Sequence, residues 1–207
     1  MKIGLYWTDE NGVQDSMIDN AENALSDLIA QLNTDTIIER ERMGEVSGSW
    51  ENCETYNDYM SEFNSQASFS DGETAILIYF RGLIQGFSFS DQAAAGKAST
   101  VGGANQYNSE YCVVNGDLNN YDATTFKNFV KHEWLHLHGA THGDGAQWNR
   151  YYGYANSPML TGYAESIRGG NQKPSNICNR DKVGTIDAHD GEISSCADVS
   201  SAIDSNY

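Results

Sequence analysis

The chain has 207 residues, of which 29 are acidic and 12 basic, for a formal net charge of −17. That balance excludes a nucleic-acid binder, which needs a basic face to neutralise phosphates, and fits a protein kept soluble by its own charge. Hydrophobic residues make up 39%, too many for a disordered chain and enough for one domain with a real core, yet no apolar run approaches the ~20 residues of a membrane span.

Residues 2–7 alternate as a strand does, with Ile3, Leu5 and Trp7 on one face. Met17, Ala21, Leu25, Leu28 and Leu32 then keep helical spacing, with Asp15 or Ser16 expected as the cap. Ile37 and Ile38 open a second strand that runs through a charged stretch to Met43. Tyr56, Tyr59, Met60 and Phe63 form an i, i+3, i+4, i+7 stripe, read as the packing face of a short helix over 55–64. The unbroken apolar run from Ala75 to Phe80 predicts a central strand covered on both faces. Leu83 to Phe89, interrupted by Gly86, reads as an edge strand, and Tyr111 to Val114 as a fifth strand. Asp122 is expected to cap a helix over 123–138 that turns Phe126, Phe129 and Val130 to the sheet. Beyond Gly139 the chain is rich in Gly, Asn, Tyr and Ser, which predicts irregular structure with one helix near 193–204.

Cysteines stand at positions 53, 112, 178 and 196, and the absence of any C-x-x-C pair argues against a cysteine-held metal site or dithiol redox chemistry. Their even number and wide spacing suit two disulfides in an oxidising compartment, so a secreted protein is expected. Cys53–Cys112 and Cys178–Cys196 are the expected pairs, with four reduced buried thiols as the alternative. No basic segment followed by an apolar run opens the sequence, so no signal peptide is expected.

The densest chemistry lies between positions 132 and 142, which hold four of the five histidines in the pattern His132-Glu133-x-x-His136-x-x-Gly139-x-x-His142. Histidines four apart on a helix share a face and can grip one metal ion. Glu133 lies beside the first of them, within reach of a water on that ion. Gly139 permits a positive-φ exit from the helix, so His142 can swing back as a third nitrogen ligand. Three imidazoles with an open fourth position describe a catalytic rather than a structural zinc site. His138 lies off the ligand face and reads as a surface or outer-shell residue. Asp144 is either an orienting partner for a ligand histidine or a turn residue. Trp134 and Leu135 are expected to pack. Carboxylates at 181, 187, 190 and 192 could hold calcium (Ca2+) but lack the spacing of a calcium loop, and His189 among them is expected to be solvated.

The extended motif resembles that of the metzincins, zinc endopeptidases whose second signature is a downstream methionine turn. Here Met159, the only methionine after the motif, occupies that place in Ser157-Pro158-Met159-Leu160. The resemblance implies an α+β catalytic domain over 1–207: an upper lobe over about 1–139, with a twisted, mostly parallel five-stranded sheet and two long helices above the cleft, and an irregular lower lobe over about 140–207 with a C-terminal helix. It implies one catalytic Zn2+ on His132, His136 and His142, Glu133 as general base, Met159 as a hydrophobic floor, and a sheet edge that binds an extended peptide. Thr161 stands where several subfamilies place a transition-state tyrosine, and Tyr163 is the nearest candidate for that role. Gly143, after the third histidine, matches none of the common subfamily markers. The expectation is a monomeric endopeptidase acting on protein or peptide substrates. The alternatives are a zinc hydrolase of a non-peptide amide or ester, and a zinc-holding binding module without activity.

Overall fold

A computed structural model describes residues 1–81, 96–116, 122–150, 153–163, 178, 188–189, 192–194 and 198–207, with the backbone alone at 147–150, 153–156, 161–163 and 188–189. The centre of the fold is a strand, Glu73–Tyr79, in which every residue is buried. Counted in chain order it is β3, after β1 (Lys2–Thr8) and β2 (Glu39–Val46), and it is followed by β4 (Gly96–Ala98) and β5 (Glu110–Asn115). These five form one sheet in the order β2-β1-β3-β5-β4. All neighbours are parallel except β4, which runs antiparallel to β5. The architecture is α+β with a mixed, mostly parallel five-stranded sheet.

The two-residue period of the strands divides the core into two layers. Ile3, Leu5, Ile76, Ile78, Cys112 and Val114 face one way, against helices α1 (Asp15–Gln31) and α3 (Ala123–Leu137). Tyr6, Ala75, Leu77, Tyr79 and Val113 face the other way, against α2 (Tyr56–Gln66) and the side chains of Trp50 and Cys53. The expected stripe on α2 packs here, and Tyr59 stacks on Tyr79 with ring centroids 3.9 Å apart. Thr55 and Asp58 close a reciprocal capping box at the start of α2.

This layering corrects one disulfide. Cys53 and Cys112 are both free buried thiols, and they lie in the cores on opposite faces of the sheet. Burial raises both thiols above their ordinary pKa, that of Cys53 to about 11. Cys178 is disulfide-bonded, and its expected partner, Cys196, lies outside the described residues.

Other expectations shift in detail. β2 begins at Glu39 rather than Ile37, whose side chain is 78% exposed, and runs on to Val46. Its arginines lean on α1: Arg42 donates to Glu22 (Nε–Oε2 2.8 Å) and to Asp19 (2.7 Å). Neither Asp15 nor Ser16 caps α1; Gln14 occupies the cap position without a side-chain bond, and Asp15 lies in the first turn, where the helix dipole favours an acid. The stretch 83–89, read as an edge strand, lies outside the described residues. Among the described residues that flank of the sheet is closed by β4 instead.

After α3 the chain is less irregular than its composition predicts. β6 (Gln147–Arg150), β7 (Gly153–Asn156) and β8 (Ala188–His189) form a small second sheet in the order β6-β7-β8. The C-terminal helix, α4, spans Val199–Asn206 and buries Val199 and Ile203 in the core that holds α3. The Asp204 carboxylate binds it to the loop after α1 by accepting from Thr34 and Thr36 and from the backbone N–H of Asp35 (3.1 Å). Among the described residues no helix is long and apolar enough to cross a membrane.

The thiol assignment has a direct test. With Cys178 oxidised and Cys53 and Cys112 free, a disulfide-exchange reagent should titrate two thiols per chain in denaturant without reductant. In the native state it should react with neither, because both are buried and held protonated.

Candidate metal centre

The site begins with what makes α3 a helix. Asp122 caps it by accepting from the Thr125 N–H at 2.7 Å, as its sequence position predicts. Phe126, Phe129, Val130, Trp134, Leu135 and Leu137 anchor it in the core, and the indole N–H of Trp134 donates to Thr74 on β3 at 3.0 Å. Trp134 and Leu135 are therefore packing residues, as expected. Truncating a buried tryptophan of this kind to alanine costs about 3–5 kcal/mol, so the ligand helix is held firmly to the sheet.

α3 ends in a Schellman turn. Gly139 adopts φ +93°, the Gly139 N–H donates to the His136 carbonyl (3.0 Å), and the Ala140 N–H donates to the Leu135 carbonyl (3.1 Å). The chain then reverses into a 3-10 turn, His142–Asp144. Asp144 accepts from the Thr141 N–H (2.7 Å) and hydroxyl (2.8 Å). Of the two roles open to Asp144, it fills that of the turn residue, and it sets the direction of His142 through the backbone.

These turns bring three imidazoles together. His132 Nε2 lies 3.1 Å from His136 Nε2 and 3.2 Å from His142 Nε2. Nitrogens at ~2.0–2.1 Å from a tetrahedral zinc lie about 3.3 Å from one another, so the spacing is that of a metal cage. The outer nitrogens are held as well. His132 Nδ1 is 2.8 Å from the Pro158 carbonyl, and His136 Nδ1 is 2.7 Å from the Ala140 carbonyl. A carbonyl only accepts, so both Nδ1 atoms carry the hydrogen and both Nε2 lone pairs point into the cluster. Burial and the neighbouring imidazoles hold His132 well below the ordinary histidine pKa, and burial lowers His136. Both are thus neutral near pH 7, the form that binds metal. His132, His136 and His142 form a group that can hold a metal ion, and its geometry is compatible with zinc.

Glu133 is 6% exposed, and burial pushes its carboxyl up to about 8 against the opposing pull of an Ala98 backbone N–H and the Lys97 ammonium. A divalent cation in the cage would draw it back down. Met159 is buried beside Pro158, whose carbonyl orients His132, in the turn Pro158–Tyr163. The side chain of Tyr163 lies outside the described residues, as do that of His189 and the carboxylates at 181, 187 and 190. His138 differs from expectation: it is buried against the Trp134 ring at 4.2 Å, and burial lowers its pKa to about 3.

Some contributors were not found from the sequence. The backbone N–H groups of Gly102 and Ala104 donate to the carbonyls of His136 (2.9 Å) and Leu137 (3.2 Å), and so help to cap the end of α3. Their only sequence signal was Gly102-Gly103, which marks a turn without saying what it turns against. Gly96 and Ala98, on β4, carried no signal at all.

No protein-family model matches the chain, and no curated protein matches it.

If the three nitrogens act as one cage, the chain should bind one zinc with all three present. His142→Ala should leave thermal unfolding of the metal-free protein nearly unchanged, because His142 is only half-buried, yet lose stoichiometric zinc on dialysis. Elemental analysis of the dialysed proteins checks this.

Proposed function

We propose that the protein is a zinc-dependent endopeptidase of the metzincin kind, and that it works outside the cell. The observation that carries this reading is the approach of His136 and His142 Nε2 to His132 Nε2, at 3.1 and 3.2 Å, with a buried carboxyl on the adjacent residue, Glu133. The methionine turn supports it: Met159 is buried beside the residue whose carbonyl fixes His132. A disulfide at Cys178 and the net charge of −17 support the extracellular setting.

His132, His136 and His142 would hold the zinc ion, which would supply Lewis acidity for acidifying a water and stabilising negative charge on a carbonyl oxygen. Glu133 takes the proton from the attacking water on a carboxylate oxygen and delivers it to the leaving nitrogen. His132 and His136 keep their rings fixed throughout, because their Nδ1–H groups stay bonded to backbone carbonyls. Tyr163 is the candidate for a hydroxyl that steadies the transition state.

Casein and a mixed peptide library should be cleaved, and a chelator should abolish cleavage until zinc is restored. Glu133→Ala should keep one zinc per chain and lose ~10²-fold or more of the activity, the contribution of a lost general base. Cleavage of esters but not peptides would assign the same centre to a different hydrolase. A zinc-loaded protein inert on every substrate would make it a binding module.

A further inference from the structure

We propose that Gly96, on the edge strand β4, is a positioning residue for the Glu133 carboxyl. β4 pairs with β5 through Gly96–Val114, Lys97–Val113 and Ala98–Cys112. Its central residue faces α2: Lys97 Nζ donates to Asn57 Oδ1 at 2.7 Å and lies 5.0 Å from the centre of the Tyr56 ring. Gly96 and Ala98, one residue to either side, lie on the α3 face.

The backbone at Gly96 does not require glycine, since it is not among the positive-φ positions. The requirement is space. A Cβ at position 96 would lie 2.8 Å from Glu133 Cγ and 3.2 Å from its Oε1, and 2.6 Å from the Val113 carbonyl oxygen. Contacts this short force a neighbour to move. β5 is an interior strand and cannot yield, so the movement falls on β4 or on Glu133. Either changes where the Glu133 carboxyl lies relative to β4. The missing side chain at 96 is the slot in which Glu133 lies.

The same stretch continues to the other half of the site. Gly102 donates to His136, the second of the three histidines, and packs against the helix-ending Gly139, where a Cβ at 102 would lie 3.4 Å from the Gly139 Cα. One segment, 96–104, therefore touches both the Glu133 side chain and the end of α3 that carries His136.

The test is a double-mutant cycle on the full chain, using Gly96→Ala, Glu133→Ala and the pair. Its stability arm does not depend on catalysis. Removing the Glu133 side chain vacates part of the space that a methyl at 96 needs, so the Tm drop caused by Gly96→Ala should be smaller in the Glu133→Ala background by about 2 °C or more. Equal drops in both backgrounds overturn the proposal. If Gly96→Ala cannot be recovered folded, recovery of the double variant supports it and failure of both overturns it. The kinetic arm rests on the endopeptidase reading. Gly96→Ala should keep one zinc per chain and a KM within about two-fold, while kcat falls about 10- to 100-fold, as misplacement of a catalytic group does. An unchanged kcat, or a loss of zinc with the activity, overturns it. A parent enzyme without peptidase activity would sink the endopeptidase reading alone, and the stability arm would still decide the role of Gly96.

Discussion

Two backbone carbonyls, those of Pro158 and Ala140, determine which nitrogen His132 and His136 turn inward. If either hydrogen bond were absent, the ring could rotate or change tautomer, and the cage would lose a lone pair. The two carbonyls come from different parts of the chain. Ala140 belongs to the Schellman turn that ends α3, whereas Pro158 lies 26 residues beyond His132. The three-histidine arrangement is therefore complete only when the segment after α3 has folded back over the helix, so binding of a metal there would be coupled to that folding.

A single physical cause acts on both kinds of titrating group at the site. Withdrawal from water favours the neutral form, so it lowers the proton affinity of His132 and His136 and raises that of Glu133. Neutral imidazoles are in the form that ligates a metal, and the carboxyl is held back from ionising until a cation is near. Both properties follow from placing one turn of α3 between a sheet and a returning loop. His138, on the same helix, shows the effect where no ligand is involved: buried on Trp134, it remains neutral far into acid.

The parts of the fold that were legible in the sequence are those with a period or a cap. The alternation in β1, the unbroken apolar run of β3, the stripe on α2 and the Asp122 cap of α3 all appear where the pattern put them. The three histidines were legible because their spacing is a mechanical statement about a helix and a glycine turn. What escaped notice depends on tertiary neighbours. β4 has three residues, too short for a period, and Gly96 is needed only because Glu133 lies against it. The Cys53–Cys112 pairing failed because spacing along the chain does not reveal which face of a sheet a cysteine occupies. Cap chemistry misled at α1, where an acidic residue one position late serves the helix dipole rather than the cap.

β2 forms one outer border of the main sheet, and its solvent-facing run Glu39-Arg40-Glu41-Arg42 alternates in sign. A register irregularity opposite Leu5 and Tyr6, next to Gly44 at φ +118°, adds a kink. An incoming strand from another molecule would have to desolvate four charges and match a bent ladder at once. Among the described residues this border is therefore a poor template for an added strand.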